Sequence, residues 1–284
     1  MKKKIIQFLG FFSLRVCLYI VLGFLLIFLY DIGSKGAGTI SWEFLTQAPR
    51  RGMTEGGIFP AIMGTFFVTI ITAVLAIPLG MFAAIYLNEY AKQNRLTRLI
   101  RLSIRNLSGV PSIVYGLFGV ILFVNVLSFG TSILSAGLTL GLLTLPWTIT
   151  ASEEALKTIP NSYREGSLAL GATKWQAIRT NVLPYAMPGM LTGTVLGLAR
   201  AAGETAPIMF TGAAFFLPFL PKGLGDQFMA LPYHLYVMAT QHHAIAKVRP
   251  IAYGTALVLL LLVLGMNLIV VIIRYRLRRK QVHR

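Results

Sequence analysis

Residues 196–207 read Leu196-Gly-Leu-Ala-Arg-Ala-Ala-Gly-Glu-Thr-Ala-Pro207, and they set two charges deep inside a long apolar run. A charge at the centre of a membrane helix costs about 2.5–3.5 kcal/mol on insertion scales, so it is retained where it faces a bundle interior, a partner or a water-filled path. Arg200 and Glu204 are four residues apart, which places both side chains on one face of a helix. Because a guanidinium suits an oxyanion, the stretch favours a helix that lines a path for a small anion. The alternative is an Arg–Glu pair that neutralises itself or holds two helices together.

The composition around this stretch is that of a membrane protein with several spans. Of the 284 residues, 56% are hydrophobic and 12% are charged, and the mean hydropathy is +0.72. The chain is too apolar for a soluble domain and too long for a single anchor. Its net charge of +17 lies between and after the apolar runs, a pattern that encodes membrane orientation and does not indicate nucleic-acid binding. Cys17 is the one cysteine, which excludes an intrachain disulfide and a cysteine-based metal site.

Six apolar runs are each close to the ~20 residues that cross a bilayer, and they predict spans at 13–31, 60–87, 106–128, 131–151, 184–210 and 250–273. With the N-terminus inside, eighteen lysines and arginines fall on the inner side and six on the outer side. This excess satisfies the positive-inside rule and predicts that both termini are cytoplasmic. The predicted organisation is a first span at 1–31, an outer loop at 32–59, a core of five spans at 60–274 with a cytoplasmic loop at 152–183, and a basic tail at 275–284.

Two further loops carry features of their own. Between residues 92 and 105 the positive charges recur every three or four residues, which predicts an amphipathic helix lying against the inner membrane surface. The outer loop at 211–249 contains His234, His242 and His243 among many aromatic residues. A metal site needs more convergent ligands than these, so we expect exposed histidines, aromatic residues at the membrane interface, and no bound metal.

The sequence lacks the motifs of a catalytic protein. It contains no nucleotide-binding G-x-x-x-x-G-K-[ST], no H-E-x-x-H and no G-x-S-x-G. Glu153 and Glu154 are adjacent, so on a helix they diverge and cannot act as a facing pair of carboxylates. We therefore expect a protein that is not itself an enzyme, and any uphill transport must draw its energy from an ion gradient or from another subunit.

The inner loop ends in a segment that reads Glu165-Gly-Ser-Leu-Ala-Leu-Gly-Ala-Thr-Lys-Trp-Gln-Ala-Ile-Arg-Thr-Asn-Val-Leu-Pro184. This pattern predicts a helix, a break at Gly171 and a second helix that ends before Pro184. The two helices are expected to share an exposed apolar surface that is formed by Leu168, Trp175 and Ile178. The positive charges of Lys174 and Arg179 are expected beside it. Such a surface suits docking into a groove on another protein, and the alternative is a helix that rests on lipid.

This segment resembles the E-A-A-x-x-x-G-x(9)-I-x-L-P signature of the permeases of ABC importers, in which a coupling helix enters a cleft on the ATPase subunit. The matching positions are Glu165, Gly171, Leu183 and Pro184, whereas Gly166 and Ser167 replace the two alanines and Asn181 stands where an aliphatic residue is usual. The resemblance implies a type I importer permease with 60–274 as its core. It also implies that the ATPase is contacted by the residues Glu165, Gly171, Ala172, Lys174, Trp175, Leu183 and Pro184.

Other stretches are similar to the permeases of the phosphate-specific importer, and more to the second of its two permeases than to the first. They are Gly56–Thr65, Ile77–Gly80, Ile85–Ala91, Gly109–Phe118 and Ala199–Pro207. The resemblance implies a subunit of the bacterial cytoplasmic membrane that pairs with a second permease, with a phosphate-binding protein docked outside and two ATPase subunits inside. Mg-ATP is then expected on the ATPase, and no cofactor is expected on this chain.

The same resemblance implies roles for the charged pair. Arg200 would add positive potential to the phosphate path, and Glu204 would tune that potential, pair with an arginine or handle the titratable proton of phosphate. One basic residue cannot distinguish tetrahedral anions, so phosphonate, sulfate or molybdate stays an alternative cargo. The alternative from another class of transporter is a proton-coupled secondary anion transporter, with Glu204 as the proton carrier. The importer signature in the inner loop argues against it, because a secondary transporter needs no loop that docks onto an ATPase.

Overall fold

The apolar runs fold as helices, because a helix satisfies its own backbone hydrogen bonds where no water is available. The structure is a computed structural model that describes residues 2–282. Its helices are α1 Lys2–Ala37, α2 Trp42–Thr46, α3 Phe59–Ile85, α4 Arg95–Leu107, α5 Ser112–Gly119, α6 Ile133–Lys157, α7 Asn161–Ala169, α8 Lys174–Ala177, α9 Leu183–Gly203, α10 Ala206–Thr211, α11 Leu231–Thr240 and α12 Ile245–Val282. Two short antiparallel strands, β1 Pro49–Arg50 and β2 Glu55–Gly56, form a hairpin between α2 and α3.

In the part of the chain that the structure describes, three π-helical segments extend or join these helices. Tyr86–Tyr90 follows α3 and Val120–Val126 follows α5, while Ile178–Val182 joins α8 to α9. Such segments widen a helix locally and are frequent at functional sites.

Among the described residues, five helical stretches are long and apolar enough to cross a membrane. They are Gln7–Ala37, Phe59–Tyr90, Ile133–Lys157, Lys174–Gly203 and Ile245–Arg276. A sixth crossing exists if Arg95–Leu107 and Ser112–Val126, which are bent by 101° relative to each other, are taken as one span. The predicted all-α, polytopic fold class is therefore confirmed.

The third predicted span, 106–128, differs from the structure at its start. The helix begins at Ser112 because Pro111 restricts the residue before it to extended backbone, and Pro111 itself is extended with φ −57° and ψ 139°. The preceding α4 is a separate amphipathic helix, as the charge spacing predicted, and it lies at 101° to the helix that follows. The remaining 112–126 helix is about 22 Å long, shorter than the ~30 Å core of a bilayer.

The centre of the bundle is formed by α3, α6 and α9. A stripe of glycines at four-residue spacing on α9 lies directly against α6. Space for a side chain at Gly189 is occupied by Ala155, at Gly193 by Ala151 and at Gly197 by Thr144. Because these three glycines have no side chains, α6 and α9 approach each other closely, as helices in lipid commonly do at small residues.

The bundle has two ends with different contents. At one end, which we call the basic end, α4, α7 and α8 surround the C-terminal ends of α3 and α6. At the opposite end the chain folds back on itself through hydrogen bonds, including Ser132 N–H to the Thr211 carbonyl at 3.0 Å and Leu231 N–H to the Thr65 hydroxyl at 2.8 Å. α1 contacts the rest of the chain mainly through α12, and most of its apolar side chains between Phe8 and Tyr30 are exposed.

Candidate functional site

The charged pair lies where α9 ends. Arg200 is in the last turn of the helix, and its Nε donates to Glu204 Oε1 at 3.3 Å. The Glu204 side chain is 15% exposed and that of Arg200 45%. The guanidinium carbon also lies 5.3 Å from the centre of the Trp147 ring of α6, which makes a cation–π contact.

The expected single helix over 184–210 is wrong, because α9 stops after Gly203. Glu204 has extended backbone, with φ −71° and ψ 135°, and its N–H donates to the Ala201 carbonyl at 3.1 Å. A new short helix, α10, then starts at Ala206 with Pro207 in its first turn, where the missing N–H of proline does no harm. Arg200 and Glu204 therefore approach each other across a helix end, and not along one helical face.

Most of the hydrogen-bonding capacity of Arg200 is unused by this chain. A guanidinium has five N–H donors, and within the described residues only the Nε–H of Arg200 has a partner. The neighbouring apolar side chains are also uncovered: Leu196, one turn earlier on α9, and Trp147 are both exposed. This side of α6 and α9 presents a positive group with free donors on a surface that the chain itself leaves open.

The loop at the basic end is connected to Arg200 by an unbroken helix. α8, the π-helical segment Ile178–Val182 and α9 form one run from Lys174 to Gly203. At 1.5 Å per residue, about 39 Å separates Lys174 from Arg200 along this axis. A displacement of α8 along its axis therefore has a continuous helical route to Arg200.

The two helices of the loop are joined by a tight turn at Gly171. Its φ of +81° lies in the left-handed region, which glycine adopts without steric cost. α8 then starts with a capping box, in which the Thr173 hydroxyl accepts from Gln176 N–H at 3.3 Å and the Gln176 side chain accepts from Thr173 N–H at 2.8 Å. The predicted helix, break and second helix are therefore present.

The exposed apolar surface of this hairpin differs in part from the predicted one. Leu168 and Trp175 are about half exposed, as expected, but Ile178 is buried in a cluster with Leu156 and Val182. Leu170, which sequence reasoning did not select, is 90% exposed next to the Gly171 turn. We call Leu168, Leu170 and Trp175 the apolar knob. A leucine just before a glycine break was the available signal for its third member.

Two of the three positions that depart from the importer signature, Ser167 and Asn181, face each other. The Asn181 amide donates to the Ser167 hydroxyl, and Ser167 is buried between α7 and the π-helical segment. A polar contact therefore replaces the apolar packing of an alanine against an aliphatic side chain, which explains why both departures occur together.

The other predicted contact residues are distributed over the same hairpin. Glu165, Gly171 and Lys174 are exposed, and Ala172 is half-buried in the turn. Leu183 and Pro184 are half-buried at the start of α9, and Leu183 packs against the buried cluster that contains Ile178. Glu165, Gly171, Lys174 and Trp175 are thus available to another protein, whereas Leu183 and Pro184 shape the helix that leads to Arg200.

The histidines of the other end are mostly buried, so the expectation of exposed histidines is wrong for two of three. His234 on α11 is 2% exposed and His242 is 4% exposed. His242 Nε2 donates to the Gly52 carbonyl at 2.6 Å, and its Nδ1 accepts from Ala244 N–H at 3.0 Å. These bonds fix the β1–β2 hairpin against α11 and α12. In the described residues, no three His, Cys, Asp or Glu side chains converge as metal ligands would.

His234 predicts a pH dependence of stability. Burial, with the nearby His242 as a second cause, lowers the pKa of His234 to about 4 from the ordinary 6.5, and α11 lies outside the apolar spans. Between these values the unfolded chain takes up a proton that the folded chain refuses, so the free energy of unfolding falls as the pH drops from 6.5 towards 4, by up to about 3 kcal/mol. Thermal unfolding in detergent should show this loss, and His234→Phe should remove it. The exposed His243→Phe is the control that retains it; an unchanged pH profile in His234→Phe contradicts the prediction.

Comparison with known proteins gives concordant matches. The family described as binding-protein-dependent transport system inner membrane component matches residues 76–283. A probable ABC transporter permease of Bacillus subtilis, YqgI, is 34% identical over 211 residues, which are 74% of this chain and 72% of the relative. The phosphate transport system permease protein PstA 1 of Mycobacterium tuberculosis is 37% identical over 228 residues, which are 80% of this chain and 73% of the relative.

The fold has a match among solved structures. A bacterial ABC transporter involved in the import of the acidic polysaccharide alginate shares it with a TM-score of 0.66 at 16% identity, covering 93% of this chain and 96% of that one. The predicted importer-permease architecture is therefore confirmed. With a family match over most of its length and relatives above 30% identity, the chain belongs to the family of binding-protein-dependent transport system inner membrane components, in which its relatives include phosphate transport permeases.

Proposed function

We propose that this chain is the permease subunit of an ATP-driven importer that moves inorganic phosphate across the bacterial cytoplasmic membrane. The observation that carries the proposal is the position of Arg200. Its free N–H donors face an uncovered side of the bundle, and one continuous helix joins it to the Gly171 hairpin. Phosphate as the cargo is supported by relatives that are phosphate permeases.

The proposed assembly follows from the surfaces that the chain leaves open. A second permease covers the Arg200 side of α6 and α9, so that the anion path runs between the two subunits. Two ATPase subunits dock at the basic end, and one of them receives the apolar knob of this chain. The basic end is then cytoplasmic together with both termini. A phosphate-binding protein docks at the opposite end.

In this assembly the chain conducts the anion and is not itself an enzyme. ATP and Mg²⁺ bind to the ATPase subunits, and the permease supplies the path and the mechanical connection. The mostly buried carboxylate of Glu204 accepts a hydrogen bond from Arg200 and so restrains the guanidinium beside the path. The pair of side chains carries less net positive charge than Arg200 alone. This restraint favours passage of an anion over its tight retention.

The experiment is reconstitution of the chain with a second permease, an ATPase and a phosphate-binding protein from the same organism. Proteoliposomes that contain ATP should take up radiolabelled phosphate only when the binding protein is present, and unlabelled sulfate, molybdate or methylphosphonate should not compete. If one of those anions inhibits uptake more strongly than unlabelled phosphate does, that anion is the cargo instead of phosphate. Uptake driven by a proton gradient in the absence of ATP would replace the proposal with a secondary transporter.

A further inference from the structure

A buried ion pair joins the hairpin formed by α7 and α8, which we call the coupling hairpin, to a second membrane helix, α3. Glu89 lies in the π-helical segment Tyr86–Tyr90 at the end of α3, and its side chain is 5% exposed. Arg164 of α7 is the residue directly before the signature position Glu165. Its Nη2 donates to Glu89 Oε1 at 2.7 Å, and its Nε donates to Oε2 at 3.1 Å. The guanidinium therefore grips the carboxylate with two parallel bonds, the most directional form of such a pair.

The same guanidinium is fixed to the end of α6. Nη1 of Arg164 donates to the Ile159 carbonyl at 2.8 Å, and Nη2 donates to the Leu156 carbonyl at 3.2 Å. Arg164 thus satisfies backbone acceptors at a helix C-terminus while it holds Glu89. Removing either side chain of the pair would leave a mostly buried charge without its partner, which is strongly destabilising locally.

A second contact connects the other helix of the hairpin to the same π-helical segment. The Lys174 ammonium of α8 lies 4.9 Å from the centre of the Tyr90 ring. From the other side, Arg101 of α4 donates to the Leu87 carbonyl at 2.8 Å and pairs with Glu153 of α6 at 2.8 Å. Both helices of the hairpin therefore contact the segment Tyr86–Tyr90, and α4 contacts the same segment through Arg101.

These contacts give the hairpin two routes into the membrane. One is the continuous helix to Arg200 described above. The other runs from α7 through Arg164 and Glu89 into α3, which packs against both α6 and α9. The π-helical segment Tyr86–Tyr90 continues α3 without interruption, because Phe59–Tyr90 is one helical stretch, so a displacement of Glu89 is passed on to α3.

We propose that Glu89 and Arg164 are a positioning pair that forms a rigid joint, through which displacement of the coupling hairpin moves α3 together with α9. The inference rests on the proposed function, because it needs an ATPase that pushes on the hairpin. When the joint is broken, ATP hydrolysis moves α9 alone, and the path does not open in step with hydrolysis. The pair contacts no substrate, and its role is to couple the two events.

The test compares Glu89→Gln and Arg164→Gln complexes with wild type in proteoliposomes, with the ratio of phosphate imported to ATP hydrolysed as the readout. We expect ATPase subunits to copurify normally and the ratio to fall about tenfold, within the usual range of coupling between linked sites. The matched control is Glu154→Gln, which removes an exposed pair with Lys157 at 2.9 Å in the same region and should leave the ratio unchanged.

A covalent replacement of the pair keeps the proposal testable if the glutamine variants assemble poorly. In a Cys17→Ser background, Glu89→Cys combined with Arg164→Cys should be uncoupled when reduced. It should regain most of the wild-type ratio when a short bifunctional thiol reagent bridges the two cysteines. A merely structural role for the pair would change yield and thermal stability and leave the ratio constant.

The outcomes separate this inference from the function on which it rests. A wild-type complex that imports phosphate, beside glutamine variants with the wild-type ratio, overturns the joint alone. A reduced double-cysteine variant that stays coupled, or a bridged one that stays uncoupled, also overturns it. A wild-type complex that hydrolyses ATP without importing phosphate overturns the proposed function.

Discussion

Arg200→Gln should abolish phosphate uptake or lower it at least tenfold. Glutamine keeps a polar side chain of similar reach but removes the permanent positive charge and most of the donors. A hydrogen bond to a charged group contributes about 1.5–3 kcal/mol, which corresponds to roughly a 10- to 150-fold change in rate when it is lost at the limiting step. Since Arg200 uses only one donor towards the residues that the structure describes, the variant should assemble normally. Initial rates of binding-protein-dependent uptake in proteoliposomes are the measurement.

Two further variants make the Arg200 result specific. Arg249→Gln removes an exposed arginine near the start of α12 and should leave uptake at the wild-type rate. Arg200→Lys keeps the charge but loses the planar fork, so it should retain part of the activity. Wild-type uptake in Arg200→Gln would exclude this residue from the pathway, and equal losses in Arg200→Gln and Arg249→Gln would indicate a general effect of lost positive charge.

An aspartate in the apolar knob, at Trp175, or in the adjoining turn, at Gly171, should detach or uncouple the ATPase. In Trp175→Asp a charged carboxylate replaces a half-exposed aromatic ring, so insertion into an apolar groove would require the charge to lose its water. In Gly171→Asp the same charge arrives at a position with φ +81°, which adds roughly 1–2 kcal/mol of backbone strain to the turn. Binding-protein-stimulated ATP hydrolysis should fall to the unstimulated level in both variants, with loss of ATPase copurification in the more severe one.

The matched control for these variants is Gly109→Asp, which places the same charge at the basic end but outside the hairpin. Gly109 is exposed between α4 and α5, and a Cβ there would have only the Asn106 carbonyl oxygen within 4 Å, at 3.5 Å. It should retain normal copurification and normal stimulated hydrolysis. If Trp175→Asp and Gly171→Asp also retain both, the docking assignment of this hairpin is wrong, while the phosphate path through Arg200 is unaffected.

The sequence by itself determined the class of fold and the identity of the candidate residues. Apolar runs of bilayer length require helices, and charge spacing in 92–105 requires an amphipathic one, because both follow from local composition. The break at Gly171 could be predicted for the same reason, since a turn of this kind depends on one residue. The sequence also contains the glycines of α9 at four-residue spacing, but only the structure identifies α6 as the helix that packs against them.

The tertiary structure alone decided which side chains meet. The helix break at Glu204 was missed because the apolar pattern continues through it, so hydropathy carries no sign of the change in backbone. Burial of Ile178 and His234 depends on the helices that cover them, which are distant in the sequence. Glu89 and Arg164 are 75 residues apart. In the sequence Glu89 looks like an ordinary charge at the end of an apolar run, and Arg164 looks like an ordinary charge of the inner loop. Folding brings them together because both helix ends lie at the basic end, where a buried carboxylate needs a cation as its partner.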